Sequence, residues 1–223
     1  AGLIAPIGDI RRFLVEPDAA EMQRLYERSV QLERDGKFER DKEQVKGRIT
    51  PEMKPFQVLQ IVRTWQQQNG FGAEAQMLSE AIDCHRARHK LRRAAYNKGK
   101  AKLKTISGVH CINGKFARRR AGQVSNWNPT ARQALYLLGD QFNRRPESEW
   151  GKKLLLYKGR LRDKHPNVVV DDGKKRYTDG HIHKMALWRT LTKFVESLYG
   201  AWTRIEKEQN GKIHTVATES AAA

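Results

Sequence analysis

Apolar residues in this chain recur at helical spacing in several separate blocks and hardly anywhere in sustained alternation. The longest block lies toward the end. Met185, Trp188, Leu191, Val195, Leu198, Trp202 and Ile205 follow one another at three or four residues. That interval keeps them on one side of an amphipathic helix, expected to begin near His181. Val58, Leu59, Ile61, Val62 and Trp65 form a second block. Thr50-Pro51-Glu52 ahead of it offers a hydroxyl cap and then a first-turn proline, so a helix start is expected there. Asn69-Gly70 ends that helix. A further helix from Ala73 carries Met77, Leu78, Ala81 and Ile82 inward and runs on into a basic segment.

The remaining blocks are shorter. Pro17-Asp18 opens a helical stretch over Ala19–Gln44, with Met22, Leu25 and Leu32 on one side. Asn128-Pro129 caps a helix that turns Ala131, Leu135, Leu138 and Phe142 toward a core. Pro146 is expected to start the next one, with Leu154, Leu155 and Leu161 inside. Strand signals are weak. Ile106, Val109 and Ile112 alternate among Gly99, Gly108, Gly114 and Gly122, which allows a short hairpin. Val168–Val170 reads as a short strand within the polar loop 164–180, and residues 210–223 as a frayed, flexible tail. The fold class is mainly α, a multi-helix domain with at most a short β-hairpin.

Charge changes this picture most. The 223 residues carry 43 Lys and Arg against 25 Asp and Glu, a net +18. From Cys84 to Gly139 there are fourteen Lys or Arg and no carboxylate. Between Arg11 and Thr50, by contrast, nine acidic residues face ten basic ones, the pattern of a solvated helix. A one-sign segment repels itself unless a polyanion meets it, and the commonest such partner is a phosphate backbone. No apolar run approaches the roughly 20 residues of a membrane span, so no membrane partner is expected. The opening Ala1–Gly8 lacks a positive leader and does not read as a signal peptide. Two cysteines make no disulfide framework. The expected location is cytoplasmic and nucleoid-associated.

The candidate nucleic-acid contacts are Arg86, Arg88, Lys90, Arg92, Arg93, Lys98, Lys100, Lys102, Lys104, Lys115, Arg118, Arg119, Arg120, Asn126 and Arg132. The five between Arg86 and Arg93 cover several faces of a helix and can meet consecutive phosphates. Arg118-Arg119-Arg120 on a loop could reach into a groove, and Asn126 or Gln123 could read a base edge. Trp127 beside them either stacks on a base or packs at a helix entry, and packing is the commoner use. Cys84, His85, His89, His110 and Cys111 supply zinc-type atoms without a Cys-x-x-Cys or His-Glu-x-x-His spacing, so no metal site is expected. Asp179-Gly-His181-Ile-His183 could hold a metal or a phosphate, though at a helix start capping is the plainer role.

Three segments, in order, resemble the C-terminal region of Piv-like, bridge-RNA-guided insertion-sequence transposases. Ala1-Gly-Leu-Ile-Ala-Pro-Ile-Gly-Asp-Ile-Arg-Arg-Phe13 resembles the end of a helix-hairpin-helix. Gly108-Val-His-Cys-Ile-Asn-Gly-Lys-Phe-Ala-Arg-Arg-Arg-Ala-Gly122 resembles the basic loop that follows it. Asn126-Trp-Asn-Pro-Thr-Ala-Arg-Gln-Ala-Leu-Tyr136 is similar to the Asn-x-x-x-Arg-x-x-Leu helix, and beyond these three Gly180-His-Ile-His-Lys-Met-Ala186 with the helix after it resembles a C-terminal extension. The likeness implies a helix-hairpin-helix-like element and a domain made of 1–13 plus 106–209. Residues 14–105 are then a helical insertion ending in the basic helix, and 210–223 a tail.

The resemblance also implies DNA recombination, an RNase H-like domain with an acidic metal site, and a nucleophilic serine in the C-terminal domain. Two departures stand out. No RNase H-like βαβ pattern precedes the hairpin, and Asp9, Glu16, Asp18 and Glu21 sit in helix or turn context. The expected Ser-Gly falls at Asn113-Gly114, and an amide cannot become an alkoxide nucleophile. Ser107 and Ser125 are the substitutes a shifted loop could supply. The expectation is a DNA-binding protein related to transposases or site-specific recombinases, with catalysis left open. The alternative is a non-enzymatic RNA-binding or nucleoprotein-assembly factor. No cofactor is expected, Mg entering only with a separate catalytic domain. The stripe of the last helix serves a core or a homodimer seam equally well.

Overall fold

A computed structural model describes residues 10–112, 115–116, 122, 125–171 and 173–220. Among these the chain is mainly α. The helices are α1 (Ala19–Asp35), α2 (Phe38–Lys42), α3 (Pro55–Gln68), α4 (Gly72–Ile106), α5 (Pro129–Arg144), α6 (Glu149–Lys164) and α7 (Asp179–Ser220). Short 3-10 segments occupy Ile10–Phe13 and Glu43–Arg48. Two antiparallel ribbons complete the described residues. One joins β1 (Cys111–Ile112) to β2 (Lys115–Phe116), and the other joins β3 (Val169–Asp171) to β4 (Lys174–Arg176). The helix-hairpin-helix-like element expected at 1–13 lies largely outside the described residues.

The chain divides into two compact units, Val15–Asn97 and Ala1–Leu14 with Lys98–Ala223. In the first, Phe38, Val45, Val58, Leu59, Val62, Leu78 and Ile82 form the core, flanked by Ile49, Met53, Ile61 and Trp65. The expected single helix over Ala19–Gln44 breaks after Asp35. Lys37 turns left-handed (φ 52°), which swings Phe38 and Val45 into that core. The turn is locked from inside. Gln66 Nε2 donates to Gly36 O at 2.8 Å and to Asp41 Oδ2 at 2.7 Å, and Arg40 Nε reaches Asp41 Oδ1 at 2.5 Å. Burial alone would raise the Asp41 carboxyl, but the hydrogen bonds from Arg40 and Gln66 outweigh it and hold it below its ordinary value.

The start of α3 also differs from expectation. Thr50-Pro51-Glu52 forms a turn, and the helix begins at Pro55. Lys54, preceding a proline, is forced extended (φ −73°, ψ 150°), so no helix can run through it. Gln57 Oε1 then accepts from Lys54 N at 2.8 Å, which takes up one of the free amides there. Asn69 closes the helix and Gly70 takes φ 82°, as the Asn-Gly pair predicts.

The second unit buries Leu103, Val109, Ala131, Leu135, Phe142, Leu154, Leu161, Ile182, Leu187, Leu191, Val195 and Tyr199. Asn128 caps α5 with Oδ1 accepting from Thr130 N and Ala131 N. The next helix starts at Glu149, not at Pro146, because Ser148 Oγ supplies the cap to Gly151 N. Leu155, expected inside, is 51% exposed. Leu154 and Leu161 define the inward face of α6, and one residue further turns about 100° away from it. The last helix runs to Ser220, through most of the expected tail. At the heart of this unit α4 and α7 meet at Gly99, where a Cβ would lie 2.0 Å from Tyr199 Oη and 2.3 Å from Phe13 O.

Candidate nucleic-acid interface

Helix α4 carries most of the predicted contacts, and its surroundings sort them. Within the Val15–Asn97 unit, Arg86 pairs with Asp83 at 3.1 Å. The Arg88 guanidinium lies 4.8 Å from the Tyr26 ring centroid and is half-buried, which fits a packing role. His85 is held by Glu33 at 2.8 Å. Lys90, Arg92 and Arg93 are exposed and have no carboxylate partner among the described residues. Lys90 and Arg93 stand three apart on one helix face, four and seven residues beyond Arg86. These side chains are free to give up water and counterions to a polyanion.

In the other unit, Lys98 and Lys102 are likewise exposed and unpaired among the described residues, and their i, i+4 spacing puts them on one face. Lys100 is half-buried and engaged. Lys104 is neutralised by Glu196 at 3.0 Å, and Glu196 also takes Lys193 at 2.8 Å. Burial pushes the Glu196 carboxyl up, but the hydrogen bonds from Lys193 and Lys104 prevail and keep it low. Lys104 is thus committed to an internal ion pair.

The residues after α4 close over one another. Ser107 is fully buried, and its Oγ has no hydrogen-bond partner among the described residues. Gly108 takes φ 68°, and a Cβ there would meet Arg132 Cδ at 2.9 Å and Trp127 Cγ at 3.1 Å. Arg132 is sandwiched, 4.6 Å from the Trp127 ring centroid and 4.8 Å from that of Trp188. Burial lowers its pKa, and burial together with the Arg132 charge lowers that of His110. Trp127 is therefore engaged in packing. Ser125 is half-buried and donates to Trp127 O at 3.4 Å, while Asn126 is exposed.

Asn113, Arg118, Arg119, Arg120 and Gln123 lie outside the described residues, as does the side chain of Lys115. Among the described residues no three His, Cys, Asp or Glu side chains gather to hold a metal ion. The Cys84 thiol is half-buried and burial raises its pKa, so it stays protonated. No described helix is long and apolar enough to cross a membrane.

Sequence reasoning passed over two basic features. Lys174, Lys175 and Arg176 are exposed on β4, and three consecutive cations after a glycine turn were the available signal. Lys158 and Arg162, both on α6, line a cleft with His183 of α7, a meeting of two helices that local spacing does not reveal. The His181 ring has another task. Its Nδ1 accepts from Tyr177 N at 3.0 Å, while Tyr177 stacks between His165 and His181 in a left-handed conformation (φ 58°).

No family model, curated protein or solved structure matches this chain.

Proposed function

We propose that this protein binds nucleic acid through its phosphate backbone, with duplex DNA the first candidate, and that it shares ancestry with transposase-type recombinases. One observation carries the binding: Lys90, Arg92 and Arg93, on the part of α4 within the Val15–Asn97 unit, are exposed without a carboxylate partner among the described residues. An ordinary solvated helix interleaves both signs, as α1 does with Arg24 on Glu21 three residues before it. Exposed cations that repel one another are stabilised when a phosphodiester chain replaces their counterions. The recombinase link rests on the order of the three sequence segments alone.

The enclosure of Ser107 and the hydrogen bond of Ser125 favour binding without strand cleavage. A nucleophile must reach its phosphorus, and a fully buried hydroxyl does not. The test is fluorescence anisotropy against matched duplex DNA, single-stranded DNA and structured RNA, with the wild type and a Lys90→Ala, Arg92→Ala, Arg93→Ala variant. Preference for duplex DNA, weakened in the variant, is the expected result. Preference for structured RNA would redirect the function to a ribonucleoprotein. Absence of binding to all three at low salt would overturn the reading.

A further inference from the structure

A cleft of about 610 Å³ opens between α5, α6 and the first turn of α7, lined by Asn143, Lys158, Gly159, Arg162, Gly180 and His183 among others. Its charges do not cancel. Arg162 is spent on Asp179 and on the carbonyls of Tyr177 and His165. Asp140, the other carboxylate near His183, is held by Arg144 at 2.8 Å. Lys158 is left as the cation whose described partner is neutral: its Nζ donates to Asn143 Oδ1 at 3.0 Å. It is half-buried, so its charge is incompletely solvated.

The start of α7 is already capped, with Thr178 Oγ1 accepting from His181 N at 3.3 Å. The uncompensated group is the lysine. Gly159 and Gly180 keep the approach open, because nothing lies within 4 Å of where either would carry a Cβ. An anion can therefore come close to backbone and to Lys158 together.

We propose that this cleft binds a phosphate group, and specifically one phosphate of the nucleic-acid backbone, which rests on the binding reading above. The oxygens of a phosphate would take the free Lys158 protons, with Asn143 and Arg162 beside them. His183 reports on the occupant. Burial and the charges of Lys158 and Lys184 depress its pKa, and an anion in the cleft acts in the opposite direction.

The test follows the His183 ring by NMR during pH titration of the full chain, in inorganic phosphate and in chloride of equal ionic strength. Phosphate should raise the His183 pKa relative to chloride. Lys158→Met should abolish that difference and Lys158→Arg should retain it. Identical titrations in the two salts would overturn the site. The second arm measures duplex DNA affinity against salt, where Lys158→Met should lower the slope by about one. A phosphate response without a slope change would assign the cleft to free phosphate and overturn the backbone assignment. The two readings fail separately. An unmoved His183 removes the cleft and leaves α4 untouched, whereas α4 variants that bind duplex DNA like the wild type remove the nucleic-acid reading and leave the His183 response standing.

Discussion

Arg132 offers the sharpest contrast between a surface contact and a packing element. As a phosphate contact it would be dispensable for folding and would contribute to the salt dependence of binding. Between Trp127 and Trp188, at 4.6 and 4.8 Å, it is instead a clamp joining the entry to α5 with α7. Each such stack is worth about 0.5–1 kcal/mol exposed and about 2 kcal/mol when desolvated. Arg132 is half-buried, so roughly 1 kcal/mol for each face is the appropriate value. Replacing it with Met keeps an unbranched apolar stem and removes the guanidinium and its charge. The loss is expected to be about 2 kcal/mol, less what is regained by no longer burying a cation. For a chain of this size that corresponds to a fall in Tm of roughly 4–8 °C. Lys keeps the charge but loses the planar stack, so Arg132→Lys should be nearly as damaging. Thermal unfolding followed by tryptophan fluorescence reads this directly, since both stacking partners are tryptophans. Binding titrations should show an unchanged salt slope for Arg132→Met at temperatures where it is folded. Unchanged Tm together with a slope reduced by about 0.9 would refute the clamp and return Arg132 to the phosphate-binding set.

Two further predictions concern the fold. Asp41→Ala leaves a buried Gln66 amide proton unmet and should cost about 1–3 kcal/mol in urea unfolding. Because the folded Asp41 carboxyl lies below its unfolded value of about 3.9, its contribution is present above that pH and is lost as pH falls through the folded pKa. Asp41→Asn should flatten the stability curve in that acidic window, and equal slopes for both proteins would contradict the assignment. Gly99→Ala should destabilise by about 1–3 kcal/mol, because the added methyl meets the Phe13 carbonyl as well as Tyr199. Wild-type stability in that variant would show that the helices do not approach so closely.

What could be read from the sequence was local. The Asn128-Pro129 cap, the Asn69-Gly70 stop and the stripe of α7 from Met185 to Leu198 depend on neighbours a few residues away, and each is present. Ile205 is exposed, because nothing in a periodic pattern states where packing ends. The break at Lys37 was not readable, since its cause is a glutamine thirty residues on that binds Gly36 O. The basic character of α4 was plain from composition. Which of its cations are free was not, because Glu196, Tyr26 and Asp83 decide it, and two of those are distant in sequence. The same holds for Lys158, whose exposure to an anion depends on where Asp179 and Arg144 spend their charge.

The central claim is that free cations on α4 meet phosphates, and the salt dependence of duplex DNA affinity tests it most directly. The plot of log affinity against log salt should be steep for the wild type. Changing Lys90, Arg92 and Arg93 together to Ala should make it shallower by about two to three, at about 0.9 for each phosphate no longer neutralised. Parallel plots for the two proteins would mean that these side chains touch no phosphate, and the account of α4 as a nucleic-acid surface would be wrong.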